Sequence, residues 1–119
     1  MNHEVRDLTR DFEEWLAGVI DLVPSGVEEK HRALAHGVLE FLRGTYYLWL
    51  VRVAEELPEV YSRPAVLVVG DLHVQNFGTW RDREQVRRWG VNDLDELATG
   101  PWLLDLLRLA ASGAAHLSG

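Results

Sequence analysis

The apolar run from Ala65 to Val69 is the feature that most restricts how this chain can fold. It is short and rich in valine, and it lies between Pro64 and Gly70. A brief continuous apolar run that is closed at both ends by turn-forming residues is typical of a buried β-strand. The sequence before the run has helical spacing of its apolar residues, and the sequence directly after it does not. The run therefore predicts a fold in which helices and a few short strands pack together.

Two helical segments are predicted before this strand. Apolar residues recur at spacings of three and four in residues 5–22 and again in residues 26–57, as they do on one face of an amphipathic helix. A break near Gly37 or Gly44 is expected in the second segment. We expect a single domain over residues 1–119, which contains an N-terminal helix (1–24), a long helix or helix pair (25–60) and a loop-rich core (65–110).

The helical periodicity disappears after Val69. The segments that follow are a polar loop (70–76), two short strands that form a hairpin (77–80 and 86–92), a second polar loop (93–99), a helix that opens at Gly100-Pro101, and a weakly structured tail (112–119). Proline is well placed in the first turn of a helix, because its N–H is not needed there. The predicted fold class is α+β, mostly helical, with one short strand and one β-hairpin.

The composition excludes several classes of protein. Hydrophobic residues make up 47% of the chain and charged residues 26%, which is ordinary for a soluble globular protein. The net charge of −7 argues against nucleic acid as a partner, because backbone binding needs clustered positive charge. Disulfides and thiolate metal sites are excluded, since the chain has no cysteine. No secretory leader or membrane-spanning run is evident, so we expect a cytoplasmic protein.

The two polar loops carry side chains that suit a magnesium and phosphate site. Asp71 and Asn76 lie in the first loop, and Asp93 and Asp95 lie in the second. Mg²⁺ prefers oxygen ligands, usually one or two carboxylates with substrate phosphate and water. Phosphoryl transfer also needs an aspartate that orients the attacking hydroxyl. We therefore predict such a site, although each residue alone is also typical of a turn or a hairpin end.

Two further polar residues allow more than one interpretation. His73 lies in the first loop, where it would take part in catalysis by contacting a metal or a phosphate, or would bond to nearby backbone. Arg43 lies in a predicted helix, where its guanidinium would bind a phosphate of the cofactor in a bidentate manner or form an ion pair with an acidic loop.

Four motifs carry a family resemblance. The first loop, G-D-L-H-V-Q-N from Gly70, resembles the catalytic loop of aminoglycoside phosphotransferases and choline kinases. The chain more closely resembles a bacterial family of uncharacterised kinase-like proteins, the domain of unknown function numbered 2252. The motifs occur in that family's order: F-L-R-G at Phe41, G-D-L-H-V-Q-N-F-G at Gly70, N-D-L-D-E at Asn92 and G-P-W-L-L-D-L-L-R-L-A at Gly100.

The resemblance implies a role for four residues. Asp71 would be the catalytic base, Asn76 and Asp93 would be metal ligands, and Asp105 would be the helix carboxylate that accepts N–H bonds from the catalytic loop. The fold would be that of the catalytic core of a kinase-like C-terminal lobe. The implied cofactors are Mg²⁺ and ATP, and the implied substrate is a small molecule with a hydroxyl group.

Other functions remain open at this stage. Nothing before residue 60 resembles a sheet with a glycine-rich loop and a phosphate-pairing lysine. That observation suits a reduced remnant of a kinase core, or a non-catalytic helical module that binds a second copy of the chain or another protein. A metal-dependent phosphoesterase also uses Gly-Asp-x-His, but its upstream Asp-x-His and downstream Gly-Asn-His do not occur here.

Overall fold

The structure is a computed structural model that describes residues 4–118. The fold is α+β, as the sequence predicted. Five α-helices and two antiparallel sheets of two strands each form in the described part of the chain. The described residues fall into two compact units, the first ending at Pro58 and the second running from Glu59 to Ser118. Within residues 4–118, none of the helices is long and apolar enough to cross a membrane.

The first unit contains four helices: α1 (Val5–Ala17), α2 (Pro24–Leu34), α3 (Val38–Gly44) and α4 (Tyr46–Glu56). The predicted helix over residues 5–22 is too long, since α1 ends before Gly18, a residue of low helix propensity. The segment expected to be one helix or a pair forms three helices. The backbone of Thr45 leaves the helical region between α3 and α4, at a φ of −131°, and Pro24 serves as the first residue of α2.

An aromatic stack joins the first and last helices of this unit. The ring of Phe12 lies 4.0 Å from the ring of Tyr47, centroid to centroid, and the two are parallel. The Lys30 ammonium lies 5.3 Å from the first ring and 5.5 Å from the second, within the range of a cation–π contact. Leu48 and Val53 are buried on α4, whereas α1, α2 and α3 contain no buried residue. The packing of this unit is therefore shallow.

The second unit contains four strands and one helix: β1 (Ala65–Val68), β2 (Phe77–Arg81), β3 (Arg87–Val91), β4 (Ala98–Pro101) and α5 (Leu103–Leu117). The predicted hairpin is confirmed, because β2 and β3 pair antiparallel with Thr79 opposite Trp89. Strand β4 was not predicted. It pairs antiparallel with β1, with Val68 opposite Ala98. Gly100 and Pro101 were predicted to open the last helix, but they pair with Val66 and Ala65 of β1, and α5 begins only at Leu103. The pairing with β1, and not the local composition, makes this segment a strand.

Two other expectations about this unit were wrong. Strand β1 is not buried: Leu67 is 70% exposed and only Val68 is in the core, because a sheet of two strands leaves much of its surface uncovered. The tail is not weakly structured, since α5 continues to Leu117 and buries Ser112 and Ala115. Small residues such as these allow a helix to pack closely against its neighbours.

Candidate functional site

The path of the first loop is set where it leaves β1. Gly70 has a φ of +95°, a backbone conformation that strongly favours glycine. A Cβ atom at this position would clash with the carbonyl oxygen of Glu96. The backbone of the second loop therefore passes directly against the first loop here, and no larger residue leaves room for that approach.

The close approach creates a pocket between the two loops. It has a volume of about 150 Å³ and is lined by Val69, Asp71, Asp93, Asp95 and Glu96. Four of these five residues carry a carboxylate, so the pocket is strongly negative. The structure thus brings together three of the residues singled out in the sequence, and it adds Glu96. Within residues 4–118, no three His, Cys, Asp or Glu side chains lie close enough together to hold a metal by themselves.

The second loop supplies its carboxylates from an exposed segment. Asp93 and Asp95 are both exposed. The Asp95 N–H donates to Oδ1 of Asp93 over 3.3 Å, which gives a local turn of the kind that aspartate favours. The part of the pocket that the second loop forms is therefore held mainly by hydrogen bonds within that loop.

Helix α5 holds the backbone of the first loop. The carboxylate of Asp105 accepts two hydrogen bonds, one from the Val69 N–H over 2.8 Å and one from the Gly70 N–H over 3.0 Å. Each bond uses a different carboxylate oxygen. Hydrogen bonds to an ionised acceptor are stronger than neutral ones, so Asp105 fixes the loop at the point where it leaves β1.

Arg108 holds the side chain of Asp71, and sequence reasoning assigned it no role. Its side chain is 1% exposed; Nε donates to Oδ1 of Asp71 over 2.8 Å, and Nη2 forms an ion pair with the same oxygen over 2.7 Å. Ser112, one turn further on, accepts the Val74 N–H over 3.0 Å. Asp105, Arg108 and Ser112 are spaced by three and four residues, which places them on one helix face. This helical spacing from Asp105 is the sequence signal that could have identified Arg108 and Ser112.

Asn76 and His73 close the first loop on itself. The His73 N–H donates to Oδ1 of Asn76 over 2.6 Å, and the Asn76 N–H donates to the carbonyl of His73 over 2.9 Å. Both residues are buried, and neither is among the residues that line the pocket. The Asn92 N–H also donates to the Asn76 carbonyl over 3.0 Å. In this structure Asn76 therefore joins the first loop to the end of the hairpin.

Arg43 lies in the other unit. It is an exposed residue in the last turn of α3, and it forms no ion pair with any residue between 4 and 118. Its predicted contact with a phosphate stays a prediction.

The turn of the hairpin is organised by one carboxylate. Oδ1 of Asp82 accepts the N–H groups of Glu84 and Val86 over 3.0 and 2.9 Å, and Oδ2 accepts from Nε of Arg88 over 2.8 Å. The hydrogen bond from the Val86 N–H does most to hold the pKa of Asp82 below its ordinary value, and the bond from Arg88 has the next largest effect. These contacts fix the hairpin that connects the two loops.

Comparison with known proteins gives a family. A family model described as an uncharacterized protein conserved in bacteria (DUF2252) matches residues 22–115. The match includes both polar loops, the hairpin and most of α5. Searches of the curated proteins and of the solved structures found no match.

Proposed function

The chain belongs to the bacterial family DUF2252, and we propose that its second unit is a phosphoryl-transfer site that binds Mg²⁺ with the phosphates of ATP. The pocket of Asp71, Asp93, Asp95 and Glu96 carries this proposal. It places an aspartate from the first loop beside carboxylates of the second loop. Phosphoryl transfer requires two components from a protein: a residue that orients the attacking hydroxyl and a set of metal ligands.

The donor chemistry of the pocket fits Mg²⁺. This ion takes oxygen ligands, keeps several waters and is usually bound by one or two carboxylates together with substrate phosphates. Asp93 and Asp95 supply two such carboxylates, so a third protein ligand is not required. The predicted neutral ligand, Asn76, is buried and does not line the pocket, and its amide oxygen accepts the His73 N–H, so the proposal assigns the metal to Asp93 and Asp95. When bound, Mg²⁺ would neutralise part of the charge on the phosphates.

The charge of the pocket makes a metal necessary for nucleotide binding. Four carboxylates line the pocket, and each would repel the phosphates of free ATP, as like charges a few ångströms apart do. ATP should therefore bind as its magnesium complex and not alone. Asp71 would then accept a hydrogen bond from the substrate hydroxyl and orient it toward the phosphate. The substrate class is a small molecule that carries a hydroxyl group.

A thermal-shift measurement tests the proposal on the whole chain. ATP with Mg²⁺ should raise the Tm well above the effect of either alone, because a ligand at 100 times its Kd stabilises the native state by about 2.7 kcal/mol. The variant Asp93→Asn should lose most of this shift. The matched control Asp11→Asn, an exposed carboxylate on α1, should keep it. Equal shifts for ATP with Mg²⁺ and ATP with EDTA, or no shift at millimolar concentrations, would contradict the proposal.

The second candidate function is a non-catalytic module that binds through its helices. An apolar groove of about 670 Å³ in the first unit supports it; the groove is lined mainly by α1 and α2, and Trp15 of α1 is 61% exposed. Exposed apolar surface of this kind often marks an interaction site. No effect of magnesium and ATP, combined with concentration-dependent self-association in sedimentation velocity, would favour this function over phosphoryl transfer.

A further inference from the structure

The Arg108 guanidinium is a buried positive charge with a defined partner. It is 1% exposed, whereas the side chain of Asp71 is 20% exposed and lines the pocket. Arginine stays protonated in proteins, and a charge in the interior must be balanced by an opposite charge and hydrogen bonds. The Asp71 carboxylate, which also lines the pocket, supplies that balance.

The contact between the two side chains is asymmetric. The Nε–H of Arg108 donates to Oδ1 of Asp71 over 2.8 Å, and Nη2 forms an ion pair with the same oxygen over 2.7 Å. In the more common fork-to-fork arrangement, each nitrogen would take a different oxygen. No residue in the described part of the chain donates a hydrogen bond to Oδ2. One oxygen is therefore fully engaged with the helix and the other remains available to a ligand.

The position of this contact is fixed by the bonds on either side of it. Asp105 holds the backbone at Val69 and Gly70, immediately before Asp71. Three residues after Asp71, the Val74 N–H is held by α5 as well. The Asp71 side chain thus leaves a backbone that is anchored on both sides, and Arg108 then fixes its rotamer.

We propose that Arg108 is a positioning residue that engages Oδ1 of Asp71 and leaves Oδ2 as the oxygen that receives the substrate hydroxyl. This inference rests on the proposed function. In the step it describes, the hydroxyl oxygen forms a bond to the γ-phosphorus of ATP and the bond from that phosphorus to the bridging oxygen breaks. ADP leaves, and the hydroxyl proton passes to Oδ2 of Asp71.

The variant Arg108→Lys tests the proposal, because it keeps the positive charge but replaces two fixed nitrogens by one on a flexible stem. The probe is Mg²⁺ and ATP with water as the acceptor, and the readout is ADP formation. We expect kcat to fall by roughly 10-fold to 100-fold, since a displacement of about 1 Å of a catalytic group has effects of this size. The Kd for ATP with Mg²⁺ should stay within about twofold. Arg10→Lys, an exposed arginine on α1, is the matched control and should match the wild type.

The outcomes separate this inference from the function on which it rests. No ADP formation by the wild type would overturn the proposed function, and this role with it. Formation at equal rates in the wild type and Arg108→Lys would overturn only the role of Arg108, as would equal losses of kcat and ATP affinity. If Arg108→Lys does not fold, the proposal is tested instead by comparing hydrogen exchange at the Arg108 Nε–H between the wild type and Asp71→Asn. Faster exchange in Asp71→Asn supports the contact, and unchanged exchange overturns it.

Discussion

Replacing Asp105 by alanine removes the acceptor for two backbone N–H groups at once. The bonds from Val69 and Gly70 measure 2.8 and 3.0 Å, and Gly70 is buried. A buried donor that loses its partner costs about 1–3 kcal/mol. Val69 is half-buried, so a hydrogen bond to water recovers part of the free energy that its N–H loses. We therefore expect Asp105→Ala to lower the free energy of unfolding by about 2–4 kcal/mol. Asp105→Asn keeps one acceptor oxygen and should cost about half as much.

Two measurements separate this cause from a general loss of stability. Urea denaturation gives the change in the free energy of unfolding, and an unchanged m-value shows that the transition keeps its cooperativity. Amide hydrogen exchange locates the effect: the Val69 and Gly70 amides should lose more protection than amides in β2 and β3. The control is Asp11→Ala, which removes an exposed carboxylate from α1 and should change stability by less than about 0.5 kcal/mol.

The contrary outcome concerns both the urea midpoint and the protection of the two amides. If Asp105→Ala unfolds at the same urea concentration as the wild type, and the Val69 and Gly70 amides keep their protection, then the helix carboxylate does not hold the loop. An equal cost for the alanine and asparagine variants would also count against it, because the two acceptor oxygens would then not act separately.

Three other predictions concern the first loop, helix α5 and the hairpin. Gly70→Ala should destabilise by roughly 1–3 kcal/mol in urea denaturation, because its positive φ is strained for alanine and a Cβ would meet the Glu96 carbonyl; Gly113→Ala in α5, where nothing lies within 4 Å, should instead stabilise by about 0.5–1 kcal/mol. The lowered pKa of Asp82 means that its contribution to stability is complete above the ordinary value of 3.8 and is lost as pH falls through the lower folded value. NMR signals of the hairpin should accordingly broaden or shift below about pH 4, and Asp82→Asn should show this behaviour already at pH 6.

The hairpin and the placement of the acidic loops could be predicted from sequence. Phe77 to Arg81 and Arg87 to Val91 have strand composition on either side of a polar turn, and the loops adjoin the two ends of that hairpin. Strand β4 could not be predicted, because Ala98 to Pro101 is stabilised by pairing with β1 and not by its own composition. Pairing between distant segments is not visible in local periodicity.

Burial was the property that the sequence predicted least well. The apolar residues of β1 indicated a buried strand, yet Leu67 is largely exposed. Arg108 and Ser112 are polar and were given no structural role, yet they are among the most buried side chains in the described residues. An arginine is seldom buried without a partner. The partner here, Asp71, lies 37 positions away, and no local pattern connects the two.

The two sides of the pocket are held in different ways, and the proposed phosphoryl transfer would benefit from this difference. Asp71 is fixed by α5 through Arg108, and its backbone is anchored through Asp105. Asp93 and Asp95 are exposed and are bonded to each other within one loop. A group that must orient a hydroxyl benefits from a fixed position before substrate arrives. Carboxylates that bind a hydrated ion benefit from freedom to adjust as waters are replaced by phosphate. The second loop has few contacts and should therefore open more easily than the first loop. Binding of the proposed metal and nucleotide should order the second loop and change the first loop little.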